Sequence, residues 1–224
     1  MKNPNLKTAL VVLVTTTILF GCQQIGDANT VKTEMMALMT EEKCLLSWTD
    51  QTSSSDRTFV IDLQSKLIND FVPGRLIFSA YQRLKAKDIK PGVFEIKSGD
   101  QQYYSIEFKN LASIERKLEV FEKHFDLLLK NKKDELLSQS ITTVREGADT
   151  AAWFNNMATS MALNKKSWKF SGFILNENEG VRYLVLGKEV EQEVIVYLSY
   201  KIGEDDNLDD DKIYGVGFVP YHKK

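Results

Sequence analysis

From Trp168 onward apolar residues recur at every second position, whereas upstream they recur at every third or fourth. Alternate side chains share one face of a strand, while a spacing of three and four gathers them on one stripe of a helix. The later part therefore predicts strands over about Trp168 to Leu175, Val181 to Gly187, Glu193 to Ile202 and Lys212 to Val219. Asn176 to Gly180 supplies turn residues between the first two. On the third strand Val194, Val196, Leu198, Tyr200 and Ile202 share a face, opposed by Tyr214, Val216 and Phe218 on the fourth. Gly215 and Gly217 leave the other face of that fourth strand bare, which predicts a bend or a close backbone approach.

The strongest helical stripe lies upstream. Leu111, Ile114, Leu118, Phe121, Phe125 and Leu128 alternate steps of three and four, with Glu115, Arg116, Glu119, Glu122 and Lys123 on the remaining surface. A coiled coil needs heptads sustained for longer, so this reads as a helix laid on a sheet. Asn131 caps a short helix through Leu136, Leu137 and Ile141, and Asp149 a third with Trp153, Met157 and Met161 on one side. Met35, Leu38, Met39 and Leu46 predict a first helix over about Val31 to Trp48, its methionines read as core filling. Thr58 to Leu63 alternates as a strand. Leu67 to Phe71 and Leu76 to Leu84 look helical, interrupted at Pro73-Gly74. Val93 to Ser98 and Gln101 to Lys109, joined by Gly99-Asp100, read as a hairpin with Phe94, Ile96, Tyr104, Ile106 and Phe108 on one buried face.

Helices followed by antiparallel strands predict an α+β fold, with helices packed on one face of a curved antiparallel sheet. From about Ala112 to Val219 this order is similar to the cone-shaped folds of the nuclear-transport-factor-two-like and cystatin-like groups. The similarity is one of element order, without motif residues, and carries no function. Residues 111–220 form the cone-like part and 221–224 a tail. The helical segment and hairpin of 34–110 either join the same sheet or make a smaller preceding unit.

At the front, Lys2 and Lys7 precede an uncharged run from Thr8 to Phe20 with no acid before it. A basic segment, an apolar segment of about 7–15 residues and a small residue make a cleavable secretory signal. A spanning helix needs about 20 apolar residues, more than this run offers. Leu19-Phe20-Gly21-Cys22 resembles the lipobox of bacterial lipoproteins, with Phe20 where that family usually carries a small or β-branched residue. The resemblance implies cleavage between Gly21 and Cys22, an S-diacylglyceryl group on Cys22 and an acylated new amino terminus, installed by the lipoprotein processing and sorting machinery. Gln23 stands where Asp retains Gram-negative members at the inner membrane. It implies the inner leaflet of the outer membrane in a Gram-negative organism, and otherwise the outer face of the plasma membrane. Each buried methylene contributes about 0.8 kcal/mol, so two or three chains hold firmly where one does not. The alternative is an ordinary secretory signal with an incidental Cys22. On the lipoprotein reading residues 1–21 are the signal peptide, and residues 22–33, polar with Gly26, Asp27 and Asn29, form a tether.

The composition, 43% hydrophobic and 27% charged, supports a buried core. The formal charge is −2, and losing Lys2 and Lys7 lowers it further, with both signs interspersed. Without a basic stripe the chain is not expected to bind nucleic acid. If Cys22 is lipidated, Cys44 has no intramolecular partner and is expected to be buried.

The reactive inventory is thin. His124 and His222 are the two histidines, and there is no GxSxG, HExxH or phosphate loop. No catalytic residue is assigned, and no cofactor is expected. His124 reads as a core-edge imidazole. The acidic run ending at Asp211 offers alternate hard oxygens at Asp205, Asn207, Asp209 and Asp211. It lacks the glycine and terminal glutamate of a calcium loop, so a solvated hairpin loop is preferred to a metal site. A ligand pocket lined by Trp153, Trp168, Phe170 and Tyr183 is a candidate, the alternative being that these are core. Its polar lining would come from Tyr183, Tyr197 or Tyr200. The expected role is a lipid-anchored, non-catalytic module that binds an envelope protein or a small apolar ligand. Two alternatives remain open. One is a hydrolase-type enzyme using carboxylates or His124 in the sheet concavity. The other is an assembly factor of the outer membrane using the helix face around Leu111 to Leu128.

Overall fold

Among the described residues, two four-stranded sheets with helices packed against them make an α+β fold. The computed structural model describes residues 24–52, 57–64, 69–147, 150, 152, 167–178, 181–190, 194–202 and 211–220. Helix α1 (Gln24–Glu42) leads into β1 (Leu46–Thr52), β2 (Arg57–Leu63), α2 (Val72–Lys85), β3 (Val93–Ser98) and β4 (Gln101–Glu107). Helices α3 (Phe108–Leu129), α4 (Lys133–Ser138) and α5 (Thr142–Glu146) follow. Strands β5 (Trp168–Asn178), β6 (Val181–Val190), β7 (Val194–Ile202) and β8 (Gly215–Pro220) complete it.

The first sheet has order β1-β2-β3-β4, with β2 and β3 parallel and the outer pairs antiparallel. Parallel neighbours need a long crossover, and α2 lies in it. The β3–β4 hairpin turns at Gly99, whose φ of 57° suits glycine. The second sheet is an antiparallel meander, β5-β6-β7-β8. The strands before Lys109 thus build a sheet of their own. Its core is nonetheless continuous with that of the second sheet: Leu38, Phe59, Phe94 and Tyr81 belong to the same buried cluster as Phe121, Phe173, Leu186 and Leu198.

Several local expectations change. Helix α1 starts at Gln24 and ends at Glu42, so the stretch expected as a polar tether is helical from Gln24, and Trp48 lies in β1. Val31, Met35 and Leu38, spaced at four and three, are buried while their polar neighbours face solvent. Tertiary packing of this stripe stabilises a helix that composition alone does not suggest. Ion pairs from Arg83 to Glu34 (3.1 Å) and to Glu41 tie α1 to α2. Pro73-Gly74 does not interrupt a helix but opens α2, where the missing proline N–H is not needed.

The α2–β5 crossing depends on two glycines. A Cβ on Gly74 would stand 2.0 Å from the Phe173 carbonyl oxygen, and one on Gly172 would stand 2.1 Å from that of Phe71. Gly172 has φ of 129° and sits at an irregularity in the β5–β6 register. Helix α3 buries Leu111, Ile114, Phe121, Phe125 and Leu128 as expected, together with Lys117 and His124. Strand β8 begins at Gly215 rather than Lys212, because Ile213 pairs with Ser140 in a parallel bridge.

Candidate functional site

The second sheet has two chemically different faces. Leu184 and Leu186 of β6, and Val196, Leu198 and Tyr200 of β7, point into the core. The intervening positions therefore point away from it: Tyr183 and Val185 on β6, Tyr197 and Ser199 on β7. Gly187, Gly215 and Gly217 fall on this outer face, where the side chains of Phe71, Ser199 and Tyr197 pack against them. A Cβ on Gly217 would meet the Tyr197 hydroxyl at 2.3 Å and its ring at 2.4 Å, so the ring lies over that glycine. Ser199 sits against Gly215 in the same way, at 2.4 Å from its would-be Cβ.

The result is a cavity of about 510 Å³. Phe71, Ile141, Ile174, Val185 and Val219 supply apolar wall, and Asn176, Asn178, Tyr183, Tyr197, Ser199 and Tyr214 supply polar groups. The Tyr183 and Tyr214 rings pack 6.2 Å apart, and Phe71 packs 6.4 Å from Tyr197. Among the described residues, its lining carries no carboxylate, imidazole, thiol, ammonium or guanidinium group. Such an open cleft offers hydrogen-bonding and aromatic surface along its described lining.

His124 and Lys117 lie on the other side of the sheet. His124 Nδ1 and the Tyr200 hydroxyl share a hydrogen bond of 3.1 Å with their rings stacked at 6.0 Å. Lys117 Nζ donates to Asp211 at 2.7 Å and lies 5.3 Å from the Tyr200 ring centroid. Burial pushes the imidazole of His124 below its ordinary range and the phenol of Tyr200 well above its own. The hydrogen bond from Lys117 holds the Asp211 carboxyl below the usual carboxylate range. His124 is 6% exposed and Lys117 4%, which leaves the imidazole packed between α3 and β7 rather than open to a substrate.

The expected pocket residues do not come together. Trp168 meets Phe125 edge-on at 5.2 Å, and Phe170 meets Phe78 at 5.8 Å, both on the core side. Tyr183 is on the opposite face and lines the cavity. Tyr197 also lines it, whereas Tyr200 is core. Trp153 lies outside the described residues, as do Gly21, Cys22, His222, Asp205, Asn207 and Asp209. Asp211 is described and is occupied by Lys117. Among the described residues no group of three or more His, Cys, Asp or Glu could hold a metal ion. Cys44 is half-buried just after α1, its thiol pushed up by burial and by Glu42. The face of α3 from Leu111 to Leu128 is buried in the chain's own core.

Sequence reading misses Asn176, Asn178, Ser199 and Tyr214 as site residues. The signal was present: once Val196, Leu198 and Tyr200 are assigned inward, Tyr197 and Ser199 must point outward. No described helix is long and apolar enough to cross a membrane. No family model matches this chain, and neither a curated protein nor a solved structure matches it.

Proposed function

We propose that this chain is a lipid-anchored protein of the cell envelope whose folded part binds a ligand without catalysis, through the cavity on the outer face of the second sheet. The lipobox resemblance at Leu19-Phe20-Gly21-Cys22 supports the anchor. The observation that carries the binding reading is the cavity itself, which combines aromatic, amide and hydroxyl groups with no acid or base among the described residues. The enzyme alternative has its imidazole in the core, bonded to Tyr200. The assembly alternative relies on a helix face that is already covered.

Fatty-acid labelling of cells expressing the wild-type chain and Cys22→Ala tests the anchor. Label on the wild type alone is expected, and label retained by the variant refutes the assignment. Turnover of any wall, lipid or glycan substrate, abolished by one substitution in the cavity, overturns the non-catalytic reading.

A further inference from the structure

We infer that the cavity takes an uncharged saccharide, an inference that rests on the binding reading above and adds the chemical class of the ligand. Three features of the lining lead there. First, no charged side chain of the described residues lines it, so phosphate, carboxylate or ammonium groups find no ionic partner. Second, its polar groups are amides and hydroxyls: Asn176, Asn178, Ser199 and the tyrosines. Each amide presents donors and an acceptor, and each hydroxyl does both at one atom. That is the complement of a ligand whose own groups are hydroxyls. A purely apolar occupant would offer these groups no hydrogen-bonding atoms.

Third, the cavity has an aromatic platform. Tyr197 lies over Gly217, where any side chain would strike its ring. The negative face of an aromatic ring attracts the weakly positive C–H groups of a pyranose, and the hydroxyl at its rim remains a polar handle. The volume of about 510 Å³ lies within the range of about 300–1,000 Å³ typical of small-molecule sites. A methyl on Gly217 would therefore displace the Tyr197 ring from the position in which it lines the cavity.

The test uses the full chain in lipid nanodiscs, titrated calorimetrically with maltotriose, cellotriose and chitotriose, and with toluene followed by saturation-transfer NMR. At least one trisaccharide is expected to bind. Tyr197→Ala and Gly217→Ala should each weaken it about tenfold or more, whereas Tyr197→Phe, which keeps the platform, should weaken it only about threefold. Unchanged circular dichroism and thermal midpoints show that each variant is folded. Toluene binding that Gly217→Val removes, with no trisaccharide bound, overturns the saccharide class and leaves the binding reading standing. Binding of neither probe overturns both.

Discussion

Replacing Gly172 by alanine tests the reasoning about how the two halves of the chain meet. The new Cβ would stand 2.1 Å from the Phe71 carbonyl oxygen and 2.8 Å from the Arg75 nitrogen. Those two atoms form a hydrogen bond of 3.0 Å in the first turn of α2, so the methyl lands on it. Neither atom is the flexible end of a side chain, and relief requires α2 and β5 to separate by roughly 1 Å or more, since carbon contacts are optimal near about 3.5–4.0 Å. A gap of that size forfeits a quarter to a half of the dispersion energy along the crossing. Forcing atoms into a packed interior costs about 1–3 kcal/mol, and a φ of 129° adds strain of similar size for any residue with a Cβ. The expected loss is about 2–6 kcal/mol, against a total stability of about 5–15 kcal/mol.

Urea denaturation of the full chain, followed by far-ultraviolet circular dichroism, reads this directly. With a slope of about 1–3 kcal/mol per molar, the midpoint should fall by about 1 M or more. Gly99→Ala is the internal control. Its φ of 57° is also positive, but nothing lies within 4 Å of the added Cβ. It should lose only the left-handed backbone penalty of about 1–2 kcal/mol. Gly74→Ala strikes the same crossing from the helix side, so its effect should combine with that of Gly172→Ala less than additively. A Gly172→Ala midpoint no lower than that of Gly99→Ala refutes the close-crossing argument.

Tyr200→Phe removes the partner of His124 Nδ1 in a buried site and should cost about 1–3 kcal/mol in urea unfolding. Because burial lowers the His124 pKa in the folded state, its contribution is complete above the unfolded value of 6.5 and is lost as pH falls through the folded value. NMR titration should place His124 below 6.5, and a value at or above 6.5 refutes this. Asp211 has the same sign: its contribution is lost as pH falls below its ordinary 3.8, and Asp211→Asn should flatten that limb of the stability profile. An unchanged acid limb in Asp211→Asn rejects the role of the Lys117 pair. Cys44, half-buried with a raised pKa, should alkylate more slowly at pH 8 in the native chain than in urea, as read by peptide mass mapping. Equal rates reject its shielding.

The strands of the second sheet are legible because each alternates cleanly and its two neighbours follow in sequence. The first sheet is less so. Leu46 continues the helical spacing of Met35, Leu38 and Met39, and nothing local says that the chain turns at Lys43, where φ is 51°. The parallel pairing of β2 with β3 is non-local, since α2 separates the two strands. Lys117 and His124 set chemistry against position. Their positions, three after Ile114 and three after Phe121, put them on the apolar stripe, yet their chemistry argues for the surface. The fold resolves the conflict by giving each a partner: His124 meets the buried Tyr200, while Lys117 reaches from the core edge to the exposed Asp211. Composition thus misleads where a buried polar pair substitutes for apolar contact.

Tyr197 and Tyr200 bring these strands of reasoning together. Three residues apart on β7, they must face opposite sides of the sheet. Tyr200 is fully buried and holds His124, while Tyr197 is half-buried, lies over Gly217 and lines the cavity. The same residue type therefore packs α3 against the sheet on one side and lines the cavity on the other. The one described histidine and the buried lysine both lie on the α3 side. The described lining of the cavity on the open side is made of aromatic, amide, hydroxyl and aliphatic groups. The separation is fixed by register: bringing Tyr200 to the outer face would require a one-residue slip of β7, which would turn Val196 and Leu198 out of the core with it.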